Sequence, residues 1–318
     1  MYPKIVNRMN NKTGTIFLVQ VKQNLDFPVE CVFAQDYING KLVSQEDKIV
    51  CIISSQFGCA MKCEYCAVPY NRFGGNLSVE SMLDQLNILV NECMEADECA
   101  KMKVHVAREG EPSFNYKNVV IALRELKGLY PAFNPMPCFT TMAPDTIPKQ
   151  TLNALNEYLK MGDKYYDGEV QLQFSVNSTD EEQRARIFNL PITKFWHLAE
   201  ISHYCNLNAD KIKKGRLVTL NFIGAEGYTI NPDVLEEILD PELYVIKITP
   251  VNTSKASVAN KISSAIDWSK PNALDEQIAI ISERGFNVIK SVTAQVEDET
   301  FMGCGQLGFL EKEKTTNE

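Results

Sequence analysis

No apolar run approaches the roughly 20 residues needed to span a bilayer, and the opening segment, MYPKIVNRMNNKTG, carries early charge without an apolar core. A membrane span and a secretory signal are therefore not read here. Glycine and proline are scarce, 16 and 14 of 318 residues, while 45% of residues are hydrophobic. That excludes collagen-like, low-complexity and disordered chains and leaves ample material for a core. Positive charge is in deficit as well: 32 Lys and Arg against 41 Asp and Glu, a formal net charge of −9. A deficit of this kind argues against extended, non-specific contact with phosphates, without excluding a local basic groove. Cysteine, by contrast, is plentiful at ten residues. In a chain read as cytoplasmic, with no membrane partner, these are reduced thiols or ligands rather than a disulfide framework.

Residues 1–47 read as a small β-hairpin extension: TGTIFLVQVKQ (13–23) and PVECVFAQDY (28–37) are β-rich, and NGK marks a further turn. From residue 48 strands alternate with helices. The expected strands are 48–55, 102–107, 136–141, 169–176, 215–222, 243–249 and 286–291. The expected helices are 115–129, 147–161, a stretch over 179–205 broken at Pro191, 231–239 and 271–284. Another begins at Ser78, which caps a run with apolar residues at Val79, Met82, Leu83, Leu86, Leu89 and Val90. This order predicts an α/β fold with a parallel sheet wrapped by helices, and ligands at the C-terminal ends of its strands. The tail after residue 310 is expected to fray.

Cys59, Cys63 and Cys66 lie in CAMKCEYC, on the polar loop after the first of these strands. Three thiolates so close together suit zinc or an iron–sulfur centre, as soft sulfur does. A structural zinc site wants a fourth ligand at short spacing, and the next cysteine is Cys93 and the nearest histidine His105. Three ligands and a vacancy fit a cluster that must bind a substrate. Three quiet apolar cysteines are the bland alternative, a poor match to so polar a loop.

Taken with Tyr65 before the third cysteine, this spacing resembles the radical SAM superfamily signature. The longer segment SSQFGCAMKCEYCAVPYNRFGGNLSVESMLDQL is similar to the class A radical SAM methyltransferases, the RlmN/Cfr family of adenine-modifying RNA methylases. The resemblance covers about 48–308. It implies a radical SAM partial (β/α)6 barrel over 48–294, followed by a C-terminal loop over 295–318, in an expected monomer. It also implies a [4Fe-4S] cluster on Cys59, Cys63 and Cys66, S-adenosylmethionine (SAM) on the fourth iron, and an electron donor such as flavodoxin or ferredoxin. Gly110, Glu111 and Pro112, with Asn115, match the segment that binds the SAM amino group. Thr140, Thr141, Ser175 and Asn252 fall where the family contacts SAM, and Asn177 stands where the family has a histidine. Read as residues alone, Glu111 is equally a solvated loop carboxylate, and Ser175 and Asn252 are equally turn or cap residues.

Cys304, between Gly303 and Gly305, matches the family's methyl-carrying cysteine; alone it reads as a quiet thiol. The family's cysteine is methylated by one SAM, and a radical from a second SAM activates the S-methyl group. The resulting carbon radical adds to an sp² carbon of an aromatic base, and a second cysteine releases the product by forming a disulfide. The family's releasing cysteine corresponds in position to Ile52, with Cys51 one residue earlier. A one-residue shift turns a strand side chain to the other face, so Cys51 fits this role if a bulge lies at Ile52–Ile53.

The chain departs from the family in two respects. Only 47 residues precede the core, where the RNA enzymes usually have a helical domain, and QVEDETFMG before Cys304 is acidic where the family is basic. The basic run KIKKGR (211–216) reads as a solvated helix end or an RNA contact. The expected substrate is an adenine in RNA by resemblance, with a small heteroaromatic molecule or peptide as the alternative. A non-catalytic iron–sulfur protein is the remote one.

Overall fold

A computed structural model describes residues 3–38, 41–68, 73–266, 274–290 and Leu307. It divides into two compact units: Met1–Met61 with Cys66–Phe139 and Val296–Glu318, and Lys62–Tyr65 with Thr140–Gln295.

The first unit begins with β1 (Lys4–Asn10), β2 (Gly14–Val21) and β3 (Asn24–Ala34), an antiparallel meander. β1 alternates exposed and half-buried residues and sets Lys4 and Arg8 on the outer edge, a charge pattern that discourages further strand addition. A small ladder of β4 (Tyr37–Ile38) and β5 (Lys41–Leu42) follows. β3 pairs antiparallel with β6 (Ile49–Ile53), so the N-terminal strands extend the sheet rather than sit apart from it. The loop after β6 carries a second small ladder, β7 (Gln56–Phe57) on β8 (Gly75–Asn76). Then come α1 (Val79–Cys93), β9 (Met102–Val106), α2 (Tyr116–Leu129) and β10 (Pro135–Thr141), with β6, β9 and β10 parallel neighbours.

α1 starts where its sequence says it should. The Ser78 hydroxyl accepts the Ser81 N–H at 3.1 Å, and the apolar spacing buries Met82, Leu86 and Leu89. Each such side chain contributes about 1.5–3 kcal/mol. This helix packs on β2, β3 and β6, giving the sheet a helix-covered face. Ile49, Cys51 and Ile53 of β6 and Met102, Val104 and Val106 of β9 are buried, while the alternate residues Val50, Ile52, Lys103 and His105 are only half-buried.

The second unit is a parallel sheet of β11 (Gln171–Ser175), β12 (Val218–Gly224), β13 (Tyr244–Pro250) and β14 (Asn287–Lys290). Its helices are α3 (Gln150–Tyr166), α4 (Glu181–Phe188), α5 (Leu198–Leu207), α6 (Ala209–Ile212), α7 (Pro232–Ile238), α8 (Lys255–Ala259) and α9 (Asp275–Glu283). The expected break between α4 and α5 is a short 3-10 turn, Ile192–Lys194, entered from Pro191. Among the described residues no helix is long and apolar enough to cross a membrane.

Candidate functional site

In the first unit the C-terminal ends of β6 and β9 are tied together by a buried polar network. Arg108 donates from Nε and Nη2 to one carboxylate oxygen of Glu30 at 2.9 and 2.7 Å, and both side chains are withdrawn from water. The Ser54 hydroxyl donates to the Glu30 carbonyl at 2.6 Å and accepts the Glu109 N–H at 3.1 Å. Gln85 reaches from α1 to both the N–H and the carbonyl of Ser54. The cysteine loop departs from this network: the Gly58 N–H donates to the Glu109 carboxylate at 3.2 Å.

The turn Gly110-Glu111-Pro112 is built on the same residues. Gly110 has φ +99°, and a Cβ there would lie 2.7 Å from the Gln56 side chain and from Ser55 Oγ, so no other residue fits unstrained. Gln56 Oε1 accepts the Glu111 N–H at 3.0 Å. The Glu111 carboxylate accepts the Ser113 N–H at 3.0 Å, capping a 3-10 turn from Pro112, and is buried rather than solvated. Asn115 holds the Ser55 and Leu77 carbonyls.

Cys59, Cys63 and Cys66 are all half-buried. Burial is the main influence that pushes the Cys59 thiol up to about 12, opposed by N–H groups of Met61 and Gly110. Binding a metal would displace that proton. Among the described residues no three Cys, His, Asp or Glu side chains converge as they would on a single ion. In a cluster each cysteine binds a different iron, so its ligands need not converge in that way.

The second unit holds the residues before Cys66 tightly. Glu64 N–H donates to the Ile187 carbonyl at 2.9 Å, the Tyr228 hydroxyl donates to the Glu64 carboxylate at 2.7 Å, and Asn260 donates to the Glu64 carbonyl. Burial first, then the hydrogen bond to Glu64 and the charge of that carboxylate, raise the Tyr228 phenol, keeping it a donor. Ser254, the cap of α8, donates to the Tyr65 carbonyl.

Asn177 is fully buried at φ +66°, a backbone region asparagine tolerates better than most residues. Its amide donates to the Tyr65 hydroxyl at 3.1 Å, while its Oδ1 has no hydrogen-bond partner among the described residues. Thr140 Oγ1 is a second buried orphan, and the neighbouring Thr141 hydroxyl accepts the Ala143 N–H. Buried orphans are uncommon and each wants an explanation. Arg184 Nε, donating to the Val176 carbonyl at 3.2 Å, steadies the segment that carries Asn177.

Ser175 ends β11 half-buried, and Asn252 lies half-buried after β13, its carbonyl accepting the Ser257 hydroxyl. Two residues beside them escaped the reading of the sequence. The register aligns Ser175 with Asn221 and Asn221 with Lys247, a polar row across three strands. A lysine in YVIKITP was the available signal.

Cys51 is placed differently from the bulge reading. β6 keeps an unbroken register with β3 and β9, Cys51 against Phe33 and Val104 and Ile52 against Val32 and His105. Cys51 is therefore buried on the helix-covered face, electrostatically coupled to Cys93 and Cys99, and Ile52 takes the opposite face. Cys304 and the acidic run before it lie outside the described residues. In KIKKGR, Lys213 pairs with Glu242 and Lys214 with Asp163, as a solvated helix end would.

No protein-family model matches the chain. It is 29% identical over 181 residues to a probable dual-specificity RNA methyltransferase RlmN from Corynebacterium efficiens, covering 57% of this chain and 46% of that protein. The chain thus spans about half the length of that curated relative. It is also similar to proteins of the same name from Corynebacterium diphtheriae, 25% identical over 282 residues, covering 85% of this chain and 69% of that one, and from Chlorobium phaeobacteroides, 25% over 283 residues, covering 87% and 71%. Among solved structures, a radical SAM methyltransferase from Sphaerobacter thermophilus shares the fold at a TM-score of 0.70 and 17% identity, over 96% of this chain and 80% of that one.

Proposed function

From kinship with the radical SAM class A methyltransferases, the family this chain belongs to by its sequence relatives, we propose that it methylates an sp² carbon of adenine in RNA by way of a methyl-cysteine. The observation that carries the reading is the junction at the end of β6. There the loop bearing Cys59 is hydrogen-bonded to the residues that shape the Gly110-Glu111-Pro112 turn.

The residues present fit the cofactors. Thr140 Oγ1 and Asn177 Oδ1 are buried atoms without hydrogen-bond partners among the described residues. SAM is rich in such partners. When bound, a [4Fe-4S] cluster and SAM would supply a 5′-deoxyadenosyl radical. Cys59, Cys63 and Cys66 would be the cluster's thiolates. Glu111 would hold the SAM ammonium. Thr140, Thr141, Ser175, Asn177 and Asn252 would orient the rest of that molecule, and Cys304 would carry the methyl group. We assign the electron supply to a flavodoxin or ferredoxin, the setting to the cytoplasm and the active form to a monomer.

Two measurements test this. Incubation with methyl-labelled SAM is expected to add a methyl group to the Cys304 peptide by mass spectrometry; no added mass removes the methyl-cysteine route. Binding to total tRNA or rRNA is expected to fall steeply with salt. No binding at low salt would move the substrate to a small heteroaromatic molecule.

A further inference from the structure

Cys63 belongs to the second unit, in the short stretch Lys62–Tyr65. Hydrogen bonds to the main chain fix this stretch. The Glu64 N–H donates to the Ile187 carbonyl, Asn260 donates to the Glu64 carbonyl at 2.6 Å, and Ser254 donates to the Tyr65 carbonyl at 3.2 Å. None of these bonds uses the Glu64 side chain. Its carboxylate instead accepts the Tyr228 hydroxyl at 2.7 Å, across 164 positions of sequence.

Glu64 directly follows Cys63, their Cα atoms about 3.8 Å apart. The Tyr228 phenol feels the Cys63 sulfur as well as the Glu64 charge, so the carboxylate it binds is kept near that sulfur. Both Glu64 and Tyr228 are half-buried, where a charge is screened less than in open water. Arg186 of α4 also acts on the phenol, but it is exposed and solvent screens its charge. The Tyr228 ring has its own anchor: it packs with Tyr65 and Ile262 on Ile223, Ala225 and Val251. Ring and hydroxyl therefore have separate tasks, and the hydroxyl's is to hold the carboxylate.

We propose that the Glu64 carboxylate, held in place by Tyr228, lowers the reduction potential of the iron–sulfur centre that Cys63 would ligate, a reading that rests on the function proposed above. Adding an electron beside a fixed negative charge is unfavourable, and the potential of a cluster follows the charge around it. A lower potential makes the reduced centre a stronger donor, as reductive cleavage of a sulfonium requires. Glu64 is the source of the field. Tyr228 is a positioning residue: without its hydroxyl the carboxylate turns toward water, where its field weakens.

The test is a potentiometric titration of the reconstituted chain, without SAM or substrate, followed by the electron paramagnetic resonance signal of the reduced cluster. Glu64→Gln keeps the side chain's size and an acceptor for Tyr228 while removing the charge. It should favour the reduced state about tenfold, an upward midpoint shift of about 59 mV. Tyr228→Phe keeps the ring and should raise the midpoint by less, adding nothing in a Glu64→Gln background. All three variants should hold as much iron as the parent. An unchanged or lower midpoint in Glu64→Gln overturns the proposal, and so does loss of its iron, which would mark a purely structural role. A Tyr228→Phe shift that persists without the Glu64 charge overturns the part assigned to Tyr228. A parent chain that takes up no cluster would instead sink the function proposed above.

Discussion

Removing one member of the Glu30–Arg108 pair should be far worse than removing both. The pair is buried at the centre of the network that joins the strand ends, with two short hydrogen bonds to a single carboxylate oxygen. Glu30→Leu strands a guanidinium that is 5% exposed. An uncompensated buried charge costs about 3–5 kcal/mol. For a unit of this size that is about 6–20 °C in melting temperature, at about 2–4 °C per kcal/mol. Glu30→Leu combined with Arg108→Met removes both charges and should return to within about 1 kcal/mol of the parent, because desolvation offsets most of a buried pair's attraction. Urea titrations of the parent, the two single variants and the double variant give the coupling directly. A Glu30→Leu cost below about 1 kcal/mol would refute the reasoning. So would a double variant as unstable as the worse single one. Because Arg108 lies two residues before Gly110, the single variants should also weaken SAM binding.

Three further outcomes are expected. Gly110→Ala meets both a positive φ and a 2.7 Å overlap, so it should cost about 1–3 kcal/mol and abolish SAM binding measured by calorimetry. Burial raises the buried Cys205 thiol to about 12 against a reference value of 9.0. The unfolded thiol therefore ionises first above pH 9, and stability should fall there by about 1.4 kcal/mol per pH unit. Urea midpoints at pH 9 and 10.5 should show a shallower loss in Cys205→Ala. Ser78→Ala removes the cap of α1 and should cost about 1 kcal/mol, read by thermal unfolding.

The sequence was most informative where a local signal has a local cause. Ser78 and the spacing of Met82, Leu86 and Leu89 set α1 at the residues observed, because capping and amphipathicity act within a few turns. α3 was harder. Its start waits for Lys149 at φ +60°, and it runs on to Tyr166, where Asp167 and Gly168 turn left-handed. The Asp-Gly pair was a legible stop signal that the apolar pattern alone did not reach. β1 went unread because its alternation is only between exposed and half-buried residues. The cysteine loop and the Gly110 turn were visible as spacing, since each is a short contiguous segment. The direction of Cys51 and the pairing of Glu64 with Tyr228 were not, because register and contact between segments distant in sequence leave no local trace.

The most direct test is anaerobic reconstitution of the chain with iron and sulfide, followed by SAM and a strong one-electron reductant. The account predicts about four irons per chain and formation of 5′-deoxyadenosine, with both lost in Cys59→Ala. A chain that takes up no iron, or one that binds iron and leaves SAM intact, would contradict it.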